Sequence, residues 1–187
     1  MDLTGIKRVY FIGIGGSSMS SLAEILIGRG YTVAGSDMQE SATVDHLRSF
    51  GADVTVGQKA ENVERFAPDA VIKTDAIMDT NPELIYSKEH NIPVYRRAEL
   101  LGYIIDGYED AVGVAGTHGK TTTTSMITSI FLSSERDASS IIGGHMKRID
   151  SSYLVGKTKE MCIFESCEFK SSFLHFRPRI SVILNIK

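Results

Sequence analysis

The chain has 187 residues, with 20 Lys plus Arg against 23 Asp plus Glu and a formal net charge of −3. Hydrophobic residues at 42% and charged residues at 23% exclude wholesale disorder and collagen-like repeats, and a slightly acidic chain lacks the basic excess of a general nucleic-acid binder. Cys162 and Cys167 make neither a disulfide scaffold nor a CxxC pair, no leader peptide opens the chain, and no apolar run nears the ~18 residues of a membrane span.

These traits describe a soluble, cytoplasmic α/β chain of one or two domains. In chain order, Val9-Tyr10-Phe11-Ile12 is an apolar run that ends in Gly13-Ile14-Gly15-Gly16. Met19, Leu22, Ala23, Leu26 and Ile27 then recur at helical spacing, which predicts a helix from about Ser18 to Gly28. Thr32 to Asp37 reads as a strand and Thr43 to Phe50 as a helix stopped by Gly51. Val54 to Val56 and Ala70 to Lys73 are short buried strands; Asn81-Pro82 opens a helix, and Ile92 to Tyr95 leads into another strand. The stretch from Ala98 is a helix closed by Gly107, and strands alternating with helices imply a parallel sheet. A second unit begins at Ala111-Val112-Gly113-Val114-Ala115, another buried strand, with a helix over Thr122 to Leu132. The division therefore falls after Gly107, giving a domain of residues 1–107 and a second over 108–187.

Two glycine loops carry the chemistry. Gly13, Gly15 and Gly16, with Ser17 opening the helix, lie where backbone N–H groups and a helix N-terminus meet a phosphate. Asp37 ends the next strand, about 20 residues on, where a carboxylate accepts from a ribose hydroxyl. Ser18 stands where a dinucleotide fingerprint has its third glycine, so a dinucleotide and a nucleotide diphosphate both remain open, as does a glycine turn without ligand. Gly116-Thr117-His118-Gly119-Lys120-Thr121 is more specific. It is a variant P-loop between strand and helix, with Lys120 as the point charge on the phosphates and Thr121 as a hydroxyl ligand to Mg2+. Downstream, the strand Met161 to Phe164 ends in Glu165-Ser166-Cys167-Glu168, where a carboxylate can complete a magnesium shell; Glu168 is the first choice and Glu165 the reserve. Arg96-Arg97 is either an anion contact or a solvated pair.

Taken with Gly35-Ser36-Asp37, Asn81-Pro82-Glu83-Leu84, Pro93 to Leu101 and Ser172-Phe173-Leu174, these loops make the chain similar to the Mur ligase family along its whole length. The block Gly-Thr-His-Gly-Lys-Thr-Thr at 116–122 is the most specific element. The resemblance implies a Rossmann-like parallel-sheet domain for a UDP-sugar, followed by the start of a P-loop α/β domain for ATP. It further implies a C-terminal amino-acid domain outside this chain. Gly13, Gly15, Gly16, Ser17 and Asp37 would serve UDP; Gly116, Thr117, His118, Gly119, Lys120, Thr121 and Thr122 would cradle ATP; Thr121 and Glu168 would hold Mg2+. The implied reaction joins L-alanine to the carboxylate of UDP-N-acetylmuramate through an acyl phosphate, for peptidoglycan, with Lys120 as catalytic cation. A tripeptide-adding relative is the near alternative. An oxidoreductase using NAD, or a nucleotide-binding module without catalysis, are alternatives of other classes. The sequence departs from the family where extra acids are common, at Cys167 and Lys170, and in Thr74-Asp75; no Asp-His pair follows the strand ending near Leu184. A second domain ending there is expected to carry an open sheet edge with apolar exposure.

Overall fold

A computed structural model of the chain describes residues 1, 3–134, 136–166 and 173–186. Contacts divide it into two units, Met1–Leu100 and Leu101–Lys187, with the division inside a helix.

The first unit contains β1 (Arg8–Ile12), α1 (Ser17–Gly28), β2 (Thr32–Asp37), α2 (Ala42–Ser49), β3 (Asp53–Val56) and α3 (Ala60–Phe66). It continues with β4 (Ala70–Lys73), α4 (Pro82–Glu89) and β5 (Val94–Arg96), and α5 (Arg97–Asp106) crosses the division. The strands form a parallel sheet in the order β3-β2-β1-β4-β5. β1 is central and covered on both faces, which is why Val9, Phe11 and Ile12 can all be apolar without alternation. The core joins Tyr10, Ile12 and Ala34 of the sheet to Val63, Phe66 and Leu84 of the helices. Helix starts follow their caps: Ser41 Oγ accepts from Val44 N, and Asn81 Oδ1 accepts from Glu83 N and Leu84 N with Pro82 in the first turn. Sequence periodicity does not reveal α3, which has seven residues and only Val63 and Phe66 as buried apolar anchors.

Among the described residues of this unit, Glu83 is a fully buried acid. The Glu83 carboxylate accepts from Tyr10 Oη (2.8 Å), Ser36 Oγ (2.5 Å) and Asn62 Nδ2 (2.8 Å), so its burial is matched by hydrogen bonds. Burial and the neighbouring Glu83 charge hold the Tyr10 phenol well above its ordinary range. The group links β1, β2 and α3 to the first turn of α4.

The second unit contains β6 (Asp110–Ala115), α6 (Lys120–Ser133), β7 (Ser139–Met146), β8 (Ser151–Leu154), β9 (Met161–Glu165) and β10 (Ile180–Ile183). Their order is β10-β6-β9-β7-β8, parallel except for the antiparallel pairing of β8 with β7. The sequence reading contains no strand at 139–154. β7 carries Gly143-Gly144 in its middle and β8 is short and half-buried, so neither shows a strand's usual pattern. Val112, Ala138 and Ile163 form the core, with Ile127 and Phe131 of α6 packed on it. β10 occupies a sheet edge, with Ile180 and Ile183 exposed beside Ile186, in line with the apolar edge expected there. Among the described residues no helix is long and apolar enough to cross a membrane.

Candidate functional site

The first glycine loop joins β1 to α1. Gly13 N and Ile14 N both donate to Ser36 O, at 2.8 and 2.9 Å, and Gly15 N donates to Asp37 Oδ2 at 2.8 Å. Most of the loop's donors therefore bond to the end of β2. Gly15 must be glycine for this approach, since a Cβ there would lie 2.8 Å from Asp37 Oδ2. The Asp37 carboxylate, expected near a ribose or uridine, thus has one oxygen committed to the loop. Ser17 begins α1, where first-turn N–H groups have no acceptor within the helix and point outward. Gly16 and Ser17 are exposed.

The second loop joins β6 to α6. Gly116 and Gly119 have φ of 144° and 88°, a left-handed backbone that opens the loop and sets the start of α6. Lys120 Nζ donates to Gly116 O, so the ammonium group folds back across the loop. Thr117 and His118 are exposed, as are Thr121 and Thr122 in the first turn of α6. Thr124 and Thr128 are fully buried against the sheet, where Thr128 Oγ1 donates to Thr124 O and bonds with Ser140 Oγ. Part of the threonine run is therefore packing. Sequence reasoning misses Asn185, whose Oδ1 accepts from His118 N (3.1 Å) and whose Nδ2 donates to His118 O (3.0 Å). Nothing in the local pattern flags it, because the contact spans 67 residues. A cavity of about 520 Å³ adjoins the loop, lined in part by Gly116, Thr117, Phe173, Phe176 and Asn185.

A cradle of this form suits a nucleotide triphosphate: backbone amides, a helix N-terminus and an ammonium group surround one concave turn. For Mg2+, the described donors are the Thr121 hydroxyl and the reserve acid Glu165. Glu165 Oε1 accepts from Gly143 N at 2.7 Å, and Thr121 stands beside neighbouring Gly144, where a Cβ would meet its methyl at 3.4 Å. The Glu165 carboxylate and the Thr121 side chain thus lie beside adjacent glycines of β7. A hydroxyl and a carboxylate fit a cation that keeps phosphate and water among its ligands. Glu168 and Cys167 lie outside the described residues. No cluster of three or more acid, His or Cys side chains suited to a metal occurs among the described residues.

Away from the loops, Arg96 Nε pairs with Asp75 Oδ1 at 3.2 Å, so one of the two arginines has a protein partner. Thr74 Oγ1 accepts from Ala76 N at 3.2 Å, closing the turn after β4.

Comparison with known proteins places both loops in one lineage. Residues 8–109 match the model described as "Mur ligase family, catalytic domain", and residues 114–187 match the Mur ligase middle domain. The UDP-N-acetylmuramate–L-alanine ligase of Agathobacter rectalis is 49% identical over 187 residues, covering 100% of this chain and 40% of that protein. Its counterpart in Clostridium acetobutylicum is 47% identical over 180 residues, covering 96% of this chain and 39% of the relative. The chain thus spans about two fifths of the length of these relatives. Among solved structures, a UDP-N-acetylmuramate-alanine ligase of Thermotoga maritima superposes with a TM-score of 0.83 at 31% identity, over 94% of this chain and 40% of that one. The UDP-N-acetylmuramate:L-alanyl-gamma-D-glutamyl-meso-diaminopimelate ligase of Neisseria meningitides gives 0.87 at 25% identity, over 97% and 62%. The chain belongs to the Mur ligase family.

Proposed function

We propose that this Mur ligase chain supplies the UDP-sugar-binding domain (1–107) and part of the ATP-binding domain (108–187) of a cytoplasmic ligase. The enzyme of this reading joins L-alanine to UDP-N-acetylmuramate. The observation that carries the reading is the second loop: Lys120 folds over a strand–loop–helix turn whose glycines hold the left-handed backbone of a phosphate cradle. An oxidoreductase has no use for that lysine. Greater identity to the L-alanine ligases than to the tripeptide-adding enzyme favours alanine as the added group.

In this reading a muramate carboxylate oxygen bonds to the γ-phosphorus of ATP as ADP leaves. The alanine nitrogen then bonds to the activated carbonyl carbon, loses a proton and expels inorganic phosphate. Gly116, Thr117, Gly119 and the first turn of α6 orient the phosphates through backbone N–H groups, with Thr122 at the rim. His118 lies in the same loop, although its own amide is engaged by Asn185. Lys120 places a positive charge where negative charge builds on the transferring oxygens, which is the main catalytic service a protein gives to phosphoryl transfer. Thr121 and Glu168 would hold Mg2+, with Glu165 in reserve; the ion neutralises phosphate charge when bound. In the first domain, Gly13, Gly15 and Asp37 build the turn, while the exposed Gly16, whose N–H bonds back to Gly13 O, lets the diphosphate approach the donors that begin at Ser17.

Titration calorimetry of the chain tests this directly. UDP-N-acetylmuramate and MgATP are expected to bind at separate sites, and NAD is not. Tight NAD binding without UDP-N-acetylmuramate binding overturns the ligase reading.

A further inference from the structure

The second loop is shaped from outside itself. Leu184 N donates to Ala115 O at 3.0 Å, which continues the pairing of β10 with β6 past the end of the strand. This brings Leu184 against both loop glycines: a Cβ at Gly116 would lie 3.1 Å from Leu184 Cβ, and one at Gly119 3.3 Å from Leu184 Cδ1. The next residue, Asn185, turns its carboxamide toward the backbone of His118, accepting from its N–H and donating to its C=O. A carboxamide is suited to this task because it offers an acceptor and a donor side by side. Aspartate at neutral pH only accepts, and serine or threonine offers a single oxygen.

The consequence for the loop is directional. A short glycine-bearing turn has several backbone states, and its amides can serve a phosphate only in states that aim them at it. With the N–H and the C=O of His118 both tied back to Asn185, that amide is withdrawn from the cradle and the two peptide planes that meet at the His118 Cα are held. The amides on either side then have defined directions. Lys120 Nζ bonds to Gly116 O on the same turn, so the ammonium position depends on the same geometry.

We propose that Asn185 is a positioning residue for the triphosphate loop. By clamping the backbone of His118 on both sides of its Cα it preorganises the Gly116–Lys120 turn for the β- and γ-phosphates, without touching the nucleotide. The inference rests on the ATP reading of this loop.

The test compares MgATP with AMP, which lacks the phosphates the turn would hold, by calorimetry on the 187-residue chain and its variants. Asn185→Ala is expected to weaken MgATP binding about tenfold, the effect of reducing the competent loop population to roughly a tenth, with AMP binding unchanged. Asn185→Asp retains the shape and the acceptor but loses the donor and adds negative charge. It is expected to weaken MgATP further, with a loss that shrinks at high salt, and it serves if the alanine variant fails to fold. Unchanged MgATP affinity in the variants overturns this inference alone, as does an equal loss for ATP and AMP, which would mark a general structural role. Failure of the unsubstituted chain to bind MgATP overturns the ATP reading, and the inference with it.

Discussion

The two units repeat one device, strand then glycine turn then helix, but they finish it with opposite charge. In the first turn the side chain bonded to the loop is a carboxylate: Asp37 accepts from Gly15 N, while Ser36 O takes the N–H groups of Gly13 and Ile14. In the second, an ammonium group folds over the loop from Lys120, and the stabilising side chain is the neutral amide of Asn185. A turn whose donors are already consumed by its own sheet has little left for an anion except the first turn of its helix. The second turn keeps amides and a cation for that purpose. Glycine spacing alone therefore reports a tight turn between strand and helix; under the proposed function, the charge that closes the turn is what separates a scaffold from a phosphate cradle.

The comparison can be broken by substitution. Lys120→Ala should weaken MgATP binding on the order of 100-fold, since a charged hydrogen bond is worth up to about 3 kcal/mol, and leave UDP-N-acetylmuramate affinity unaltered. Loss of both in calorimetry would refute the assignment of the two loops to two ligands. Asp37→Ala should act in the converse direction, lowering UDP-N-acetylmuramate affinity about tenfold through a loosened first turn and sparing MgATP. Tighter UDP-sugar binding in that variant would instead mean that the carboxylate repels the diphosphate and that the Gly15 amide serves it. The smallest effect concerns the interior of the first unit. The Tyr10 phenol keeps its proton well above the 10.0 of an ordinary phenol, through burial first and the Glu83 charge second. A raised value means that the folded state binds this proton more tightly than the unfolded chain. The stabilisation is thus complete below about pH 10 and declines above it, by about 1.4 kcal/mol per pH unit at most. Urea unfolding of the chain and of Tyr10→Phe at neutral and alkaline pH measures this: the unsubstituted chain should show the steeper alkaline decline, and parallel curves would contradict it.

What could be read from sequence followed burial. β1, β2 and β4 are legible because strands covered on both faces carry runs of buried apolar residues, Val9 to Ile12, Val33-Ala34 and Ala70 to Ile72. α4 is legible because Asn81 and Pro82 mark its start with a side-chain cap and a fixed φ. The β7–β8 arm was hidden by Gly143-Gly144 and by its own partial exposure, and α3 by its shortness. The positions of both loops were visible, but the destinations of their hydrogen bonds were not. Gly15 finds its partner 22 residues away and His118 finds its partner 67 residues away, and such pairings are made by sheet order rather than by local pattern. The same holds for Arg96, whose partner Asp75 is brought near by the parallel pairing of β4 with β5.

The span between His118 and Asn185 also has a meaning in time. A ribosome adding about 5–20 residues per second needs roughly 3–13 s to make the 67 residues that separate them. During that interval the glycine turn and the N-terminus of α6 already exist as sequence, yet the segment that moulds them has not been made. β6 likewise waits for β9 and then β10 before both of its edges are paired. The Gly116–Lys120 turn therefore cannot take its folded form until Leu184 and Asn185 have been made and dock onto the end of β6.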